Sequence, residues 1–257
     1  MNIYVYWNRN DNDCTKMFHF MSENDEYSLM KYLGQEDGFN LYKTEQSFHN
    51  RFEYSICDNT GQENHLFIHR IYQPFQDKSE VTESIQENDY IIFMTHGTED
   101  SILKYRNKPE RNFSEYILLD KNNAAILKGK VVLAFCCSSV KELGRRCVAP
   151  EVGCKAYVGF EKDIVYDNGR AEKSRHIIYE SYKKAFMKSL RYAVKYHCTI
   201  EEYRIKLMQF MRKEAANAIM KSENQTLHNM YSGTMKGLVA LGDDQIAMFS
   251  DIPYHID

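Results

Sequence analysis

Proline is scarce in this chain, 4 residues among 257, and no stretch is rich in glycine and serine. Flexible and polyproline linkers are thereby excluded, and with them a string of loosely tethered modules. No run of basic residues is long enough to form a nucleic-acid or membrane-surface footprint, and the net charge is only −3. No apolar run approaches the length of a membrane span. The first residues, Met1-Asn2-Ile3-Tyr4-Val5-Tyr6-Trp7-Asn8, lack the basic start and long apolar centre of a secretory leader. Internal repeats and low-complexity tracts are missing too. Cysteine is present but unpatterned: Cys14, Cys57, Cys136, Cys137, Cys147, Cys154 and Cys198 are odd in number and irregular in spacing. That arrangement predicts free thiols in a reducing, cytoplasmic compartment rather than a disulfide framework.

What is there in quantity is core-forming material. Hydrophobic residues make up 43% of the chain, including 19 tyrosines and 14 phenylalanines, enough for a sizeable core and against dominant disorder. The whole chain, 1–257, is read as one domain. Residues 1–80 are its least legible part: a strand over 3–7, a helix over 22–33 capped by Ser22, and strands over 52–57 and 66–72 flanking the turn-rich Asp58-Asn59-Thr60-Gly61. Beyond residue 88, strands at 90–94, 131–135 and 155–160 alternate with a polar connection over 98–112 and a helix opening after Ser139. A helix over 171–197 follows, with apolar residues at 178, 182, 185, 186, 190, 193 and 194. Thr199-x-x-Glu202 is a capping box that opens another helix. Late strands are expected over 237–241 and 246–249. Strands alternating with helices predict an α/β fold with a largely parallel sheet, whose active sites gather at the carboxyl ends of strands.

Two of those strand ends carry reactive side chains. Tyr90-Ile91-Ile92-Phe93-Met94 runs into Thr95-His96-Gly97, and Val131-Val132-Leu133-Ala134-Phe135 runs into Cys136-Cys137-Ser138-Ser139. On adjacent parallel strands these ends would hold an imidazole beside a thiol, the minimum for a cysteine nucleophile with its general base. Ser139-x-x-Glu142 matches a capping box, so a helix N-terminus would lie close behind the thiol and favour its thiolate. Gly97, lacking a Cβ, lets its backbone approach a ligand and point its N–H at a developing oxyanion.

The order strand–His-Gly, a connection of 41 positions (137 − 96), then strand–Cys-x-Ser resembles the caspase-like cysteine peptidase clan, which includes caspases, separase, legumain, gingipain-type enzymes and bacterial CHAT domains. The likeness is greatest to the CHAT and separase branch. Gly129-Lys130-Val131-Val132-Leu133-Ala134-Phe135-Cys136-Cys137-Ser138-Ser139 is similar to that branch's nucleophile strand. Gly153-Cys154-Lys155-Ala156-Tyr157-Val158-Gly159-Phe160 is similar to the strand after it, and Leu238-Val239-Ala240-Leu241-Gly242-Asp243-Asp244 to the close of CHAT domains. The resemblance covers residues 88–250. It implies a caspase-like three-layer sandwich, a mostly parallel sheet with helices on both faces.

The resemblance further implies a cysteine endopeptidase acting through an acyl-enzyme, with His96 as base and the N–H groups of Gly97 and the nucleophile as oxyanion hole. Cys137 fits as nucleophile because a small residue, Cys136, precedes it and because Cys137-Ser138-Ser139 is similar to separase's Cys-Ser-Ser. Cys136 is the alternative, since Cys136-Cys137-Ser138 also satisfies Cys-x-Ser. Members of the clan hold a substrate residue in a deep first pocket. Its acidic candidates here are Asp163 and Asp167, with Glu99 and Asp100 after the His-Gly, although Glu161-Lys162-Asp163 lacks the aromatic that the family places there. The implied partners are a protein or peptide substrate and a regulatory protein. No cofactor, nucleic acid or membrane is expected. The contrasting reading is a catalytically silent binding or scaffold module on the same fold.

Other constellations are weaker. His65 and His69 lie four apart on an expected strand, about 13 Å from each other and too far to share a metal. No metal site is therefore expected. Ser138-x-x-Lys141 matches a motif of penicillin-recognising enzymes without its companion motifs.

Overall fold

The computed structural model describes residues 2–8, 17–18, 40–46, 51–57, 63–71, 85, 89–103, 117–165, 172–222 and 226–250. Eleven strands are found among them: β1 (Asn2–Asn8), β2 (Asn40–Gln46), β3 (Arg51–Cys57), β4 (Glu63–Ile71), β5 (Tyr90–Met94), β6 (His96–Gly97), β7 (Ile102–Leu103), β8 (Ile117–Leu119), β9 (Val131–Phe135), β10 (Ala156–Phe160) and β11 (Leu238–Gly242). Three long helices follow β10 in the chain: α1 (Glu172–Tyr196), α2 (Ile200–Ser222) and α3 (Thr226–Lys236).

Eight strands form one sheet in the order β11-β10-β9-β5-β1-β4-β3-β2. The five central strands, β10 to β4, pair in parallel, while β11 at one edge and β3 and β2 at the other run antiparallel to their neighbours. The fold is therefore α/β with a mostly parallel central sheet. The chain starts in the middle with β1, goes to one side for β4, then crosses back to build β5, β9 and β10 on the other side. The order reverses between β1 and β5. Such a reversal opens a crevice at the carboxyl ends of the flanking strands, where α/β proteins place their ligands.

Strands β5, β9 and β10 are apolar and buried along their whole length because both faces are covered, as parallel sheets require. Alternation decides which face each residue meets. Val5 and Trp7 of β1, Ile92 and Met94 of β5, Leu133 and Phe135 of β9, and Val158 and Phe160 of β10 share one core cluster with the long helices. Their alternates, including Tyr6, Phe93, Val132, Ala134 and Tyr157, pack on the other face with Leu127 and with the helical segment formed by Val140–Gly144 and Arg145–Val148. Helical cover thus lies on both faces.

The apolar periodicity of α1 reads out faithfully: Ile178, Tyr182, Ala185, Phe186, Leu190, Ala193 and Val194 are all buried. His197 adopts φ 45° just past the last turn, ending the helix in a left-handed residue. The Thr199 box forms as expected. The Thr199 N–H donates to Glu202 Oε2 at 2.8 Å and the Glu202 N–H to Thr199 Oγ1 at 3.2 Å, so α2 starts there and returns against α1. Phe186 is the aromatic centre of this layer, with its ring 4.6 Å from Phe135, 5.7 Å from Tyr182 and 6.0 Å from Phe18 between centroids.

Several expectations need correcting. The expected strand over 246–249 is instead turns and a single bridge, Thr199 to Ala247. The connection over 98–112 contains β7, which pairs with β6 and β8 in a small second sheet. Strand β2 and helix α3 went unforeseen. The expected helix over 22–33 and the turn Asp58-Asn59-Thr60-Gly61 lie outside the described residues. His65 and His69 do lie on a strand, β4, in parallel register with Asn2 and Tyr6.

Phe186→Ala removes the ring that joins the sheet to the helical layer and is expected to lower stability by about 3–5 kcal/mol. Urea denaturation measures it, and a loss under about 1 kcal/mol would show that the layer does not depend on this ring.

Candidate active site

Strands β5 and β9 are neighbours, and their register pairs Tyr90 with Val131, Ile92 with Leu133 and Met94 with Phe135. Each rung carries an offset of 41 (131 − 90; 135 − 94). His96 and Cys137 stand at that same offset, one same-face rung beyond the last pair. Thr95 and Cys136 stand one rung beyond on the opposite face. Parity thus sends His96 and Cys137 toward the long-helix face and Cys136 away from it.

The side chains obey this parity. A cavity of about 180 Å³ opens at the carboxyl ends of the parallel strands and is lined by His96, Gly97, Cys137, Asp163 and Ile164, with Met17, Phe18, Phe135 and Leu103 among its apolar walls. Cys137 is half-buried, and Cys136 is fully buried in the cluster on the other face. Burial pushes the Cys136 thiol well above its ordinary pKa, and its Sγ lies 3.8 Å from the Phe93 carbonyl, to which it donates. Cys136 is therefore the small apolar neighbour, and Cys137 the thiol presented to the cavity.

Gly97 has a steric reason that its sequence did not reveal. A Cβ at this position would stand 2.6 Å from the Cys137 carbonyl oxygen and 2.8 Å from Cys136 Cβ. The close approach required of the glycine is to the chain's own cysteine turn. It lets β6 lie against that turn and so sets His96 beside it. Thr98, Asp100 and Ser101 tie the turn after β6. The Thr98 N–H donates to the Ser101 carbonyl at 2.9 Å and its hydroxyl to Asp100 at 2.8 Å. That hydroxyl is the main reason the Asp100 carboxyl sits below its usual pKa.

The helix behind the thiol differs from its expected form. Ser139 occupies the position before the helical turn, but its hydroxyl makes no cap and instead reaches the Cys136 carbonyl at 3.4 Å. The first free N–H groups, those of Glu142 and Leu143, donate to the Glu99 carbonyl at 3.0 Å each. Glu99 also pairs with Lys141, which raises the ammonium's pKa. Two N–H groups of the helix N-terminus are thus taken by the loop after β6, which they dock.

The sulfur meets another donor. The Ile164 N–H lies 3.3 Å from Cys137 Sγ. Residues 162–164, just past β10, touch the cysteine turn twice more: the Ser138 hydroxyl donates to Asp163 Oδ1 at 2.8 Å, and the Ser138 N–H to the Lys162 carbonyl at 3.2 Å. This contact was invisible in sequence, because nothing in residues 162–164 marks them as neighbours of residues 137–138. Of the acidic pocket candidates, Asp163 lines the cavity, Glu99 and Asp100 do not, and Asp167 lies outside the described residues.

Among the described residues no group of three or more His, Cys, Asp or Glu is clustered to hold a metal ion, and no helix is long and apolar enough to cross a membrane. Cys136, Cys137, Cys147, Cys154 and Cys198 are free thiols. Comparisons with protein-family models, with curated proteins and with solved structures find no match.

Iodoacetamide at neutral pH is expected to modify Cys137 ahead of Cys136, Cys147, Cys154 and Cys198. Burial raises the thiol pKa of Cys136 and Cys147, and raises Cys154 and Cys198 to about 12, leaving negligible thiolate at these four sites. Peptide mapping by mass spectrometry reads the order, and modification of Cys136 ahead of Cys137 would contradict the assignment of faces.

Proposed function

We propose that this protein is a caspase-like cysteine endopeptidase of the CHAT and separase kind, with Cys137 as nucleophile and His96 as its base. The observation that carries the reading is that one cavity, at the carboxyl ends of β5 and β9, is lined by both the imidazole and the half-buried thiol while the neighbouring cysteine is sealed in the core. The order of motifs resembles that clan over residues 88–250, and a mostly parallel sheet with helices on both faces is compatible with its sandwich. Protein or peptide chains are the proposed substrates, the cytoplasm the proposed compartment, and a regulatory partner the proposed brake on intracellular proteolysis.

In this mechanism His96 takes the thiol proton and the Cys137 sulfur adds to the carbonyl carbon of a peptide bond. The negative oxygen of the tetrahedral species is met by the N–H groups of Gly97 and Cys137. The C–N bond then breaks, the imidazolium returns its proton to the leaving amine, and a thioester remains. Water, activated by His96, adds to the thioester and frees the acid and the thiol.

A peptidyl acyloxymethyl ketone library, read by intact-protein mass, tests this. One inhibitor adduct on Cys137 is expected, lost in Cys137→Ala and slowed about 10²- to 10⁴-fold in His96→Ala, with Cys136→Ala retaining the reaction. Cleavage of a peptide library should follow the same ranking. Activity that survives Cys137→Ala would overturn the choice of nucleophile. Absence of both adduct and cleavage across the library would favour the binding-module reading.

A further inference from the structure

The turn that carries Cys137 is held in an uncommon conformation. Ser138 has φ 54°, in the left-handed region that a residue with a Cβ enters only at an energetic cost. Something must offset that cost, and the two hydrogen bonds from Ser138 to residues 162 and 163 do so. Both bonds draw the segment after β10 against the turn, and the result is the Ile164 N–H facing the sulfur at 3.3 Å.

The far side of this segment is fastened independently. The Val165 N–H donates to Thr234 Oγ1 at 3.1 Å, and the Tyr182 hydroxyl lies 3.1 Å from the Val165 carbonyl and 2.9 Å from Thr234 Oγ1. Tyr182 is on α1 and Thr234 on α3, and both are buried. Ile164 is thus held between two anchors: Ser138–Asp163 on the cavity side, and Tyr182–Thr234 on the helical side. The first is hydrogen-bonded to the turn that bears the thiol.

We infer that Ser138 and Asp163 are positioning residues for Cys137: the hydrogen bond between them keeps the Ile164 N–H on the sulfur. A backbone donor on sulfur favours the thiolate over the thiol, since the interaction strengthens when the acceptor is charged. Asp163 therefore acts as an oxygen acceptor for Ser138 rather than as a charge offered to substrate. The inference rests on Cys137 being the reactive thiol of the proposed function, but it concerns how that thiol is held and not what it attacks. Among the described residues, the titratable groups around the sulfur are His96 after β5, Asp163 after β10, Cys136 in the same turn and Tyr182 on α1, and a pH profile must be read against these four.

The test is the pH dependence of Cys137 alkylation by iodoacetamide in the full chain, for wild type, Ser138→Ala, Ser138→Gly and Asp163→Asn, with thermal melts as the check on folding. Ser138→Ala and Ser138→Gly change no charge, and glycine tolerates the left-handed turn. Both are expected to raise the apparent pKa of the thiol and to slow alkylation at neutral pH up to about tenfold, the factor that one pKa unit gives. Asp163→Asn keeps an oxygen for the Ser138 hydroxyl and removes a negative charge, so its thiol pKa should stay at the wild-type value or fall. Folded Ser138 variants with the wild-type profile would overturn the inference, as would Asp163→Asn raising the pKa as the Ser138 variants do. Alkylation does not require peptide cleavage. A shifted profile in a protein that cuts no peptide would uphold the positioning role and reject the peptidase; cleavage with an unshifted profile would do the reverse.

Discussion

The parallel register between β5 and β9 is the constraint on which the site depends. A constant offset of 41 along the two strands puts His96 and Cys137 on the same face, one rung beyond the last ladder pair. A slip of one residue would send one of them to the opposite face, because side chains in a strand alternate. What forbids the slip is the apolar matching of both faces at once. Ile92, Met94, Leu133 and Phe135 must meet the long helices, while Ile91, Phe93, Val132 and Ala134 must meet the opposite layer. The chemistry at the strand ends thus inherits its alignment from the packing of the strand bodies.

The two faces serve the site differently. On the long-helix face, Phe135 and Phe186 with Phe18 form a rigid aromatic floor beneath the cavity. On the other face, the turn after β6 captures the start of the helical segment through the Glu99 carbonyl, which draws the His-Gly and cysteine turns together. Gly97 permits that approach sterically. The residues after β10 supply the third wall and bring a backbone N–H to the sulfur. Three separate strand ends therefore converge on one thiol.

Much of this was legible in the sequence where the pattern is local. The apolar runs of β5, β9 and β10 declare buried strands, the period of α1 from Ile178 to Val194 is borne out residue by residue, and the Thr199–Glu202 box forms as read. The same pattern at Ser139–Glu142 misled, because a carbonyl from a distant loop took the N–H groups that a cap would have served. Residues 246–249 look apolar enough for a strand but have only an isolated bridge to pair with. Strand β2 was missed because Asn40-Leu41-Tyr42-Lys43-Thr44-Glu45-Gln46 carries few apolar residues, and an antiparallel edge strand needs few.

By itself the sequence determined the alternation of strands and helices, the two reactive strand ends and the spacing between them, because these follow from hydrophobic period and local residue chemistry. It favoured Cys137 over Cys136 only through the small residue before it and a likeness to Cys-Ser-Ser, because the two differ by one position in one turn and share the same neighbours along the chain. Only the tertiary structure gave the two sulfurs different surroundings, since the strand's alternation leaves one in the closed face and the other in the open one. Nor could it join Ser138 to Asp163 across 25 positions. That contact exists because β9 and β10 are adjacent in the sheet, and adjacency is decided by how the whole sheet assembles.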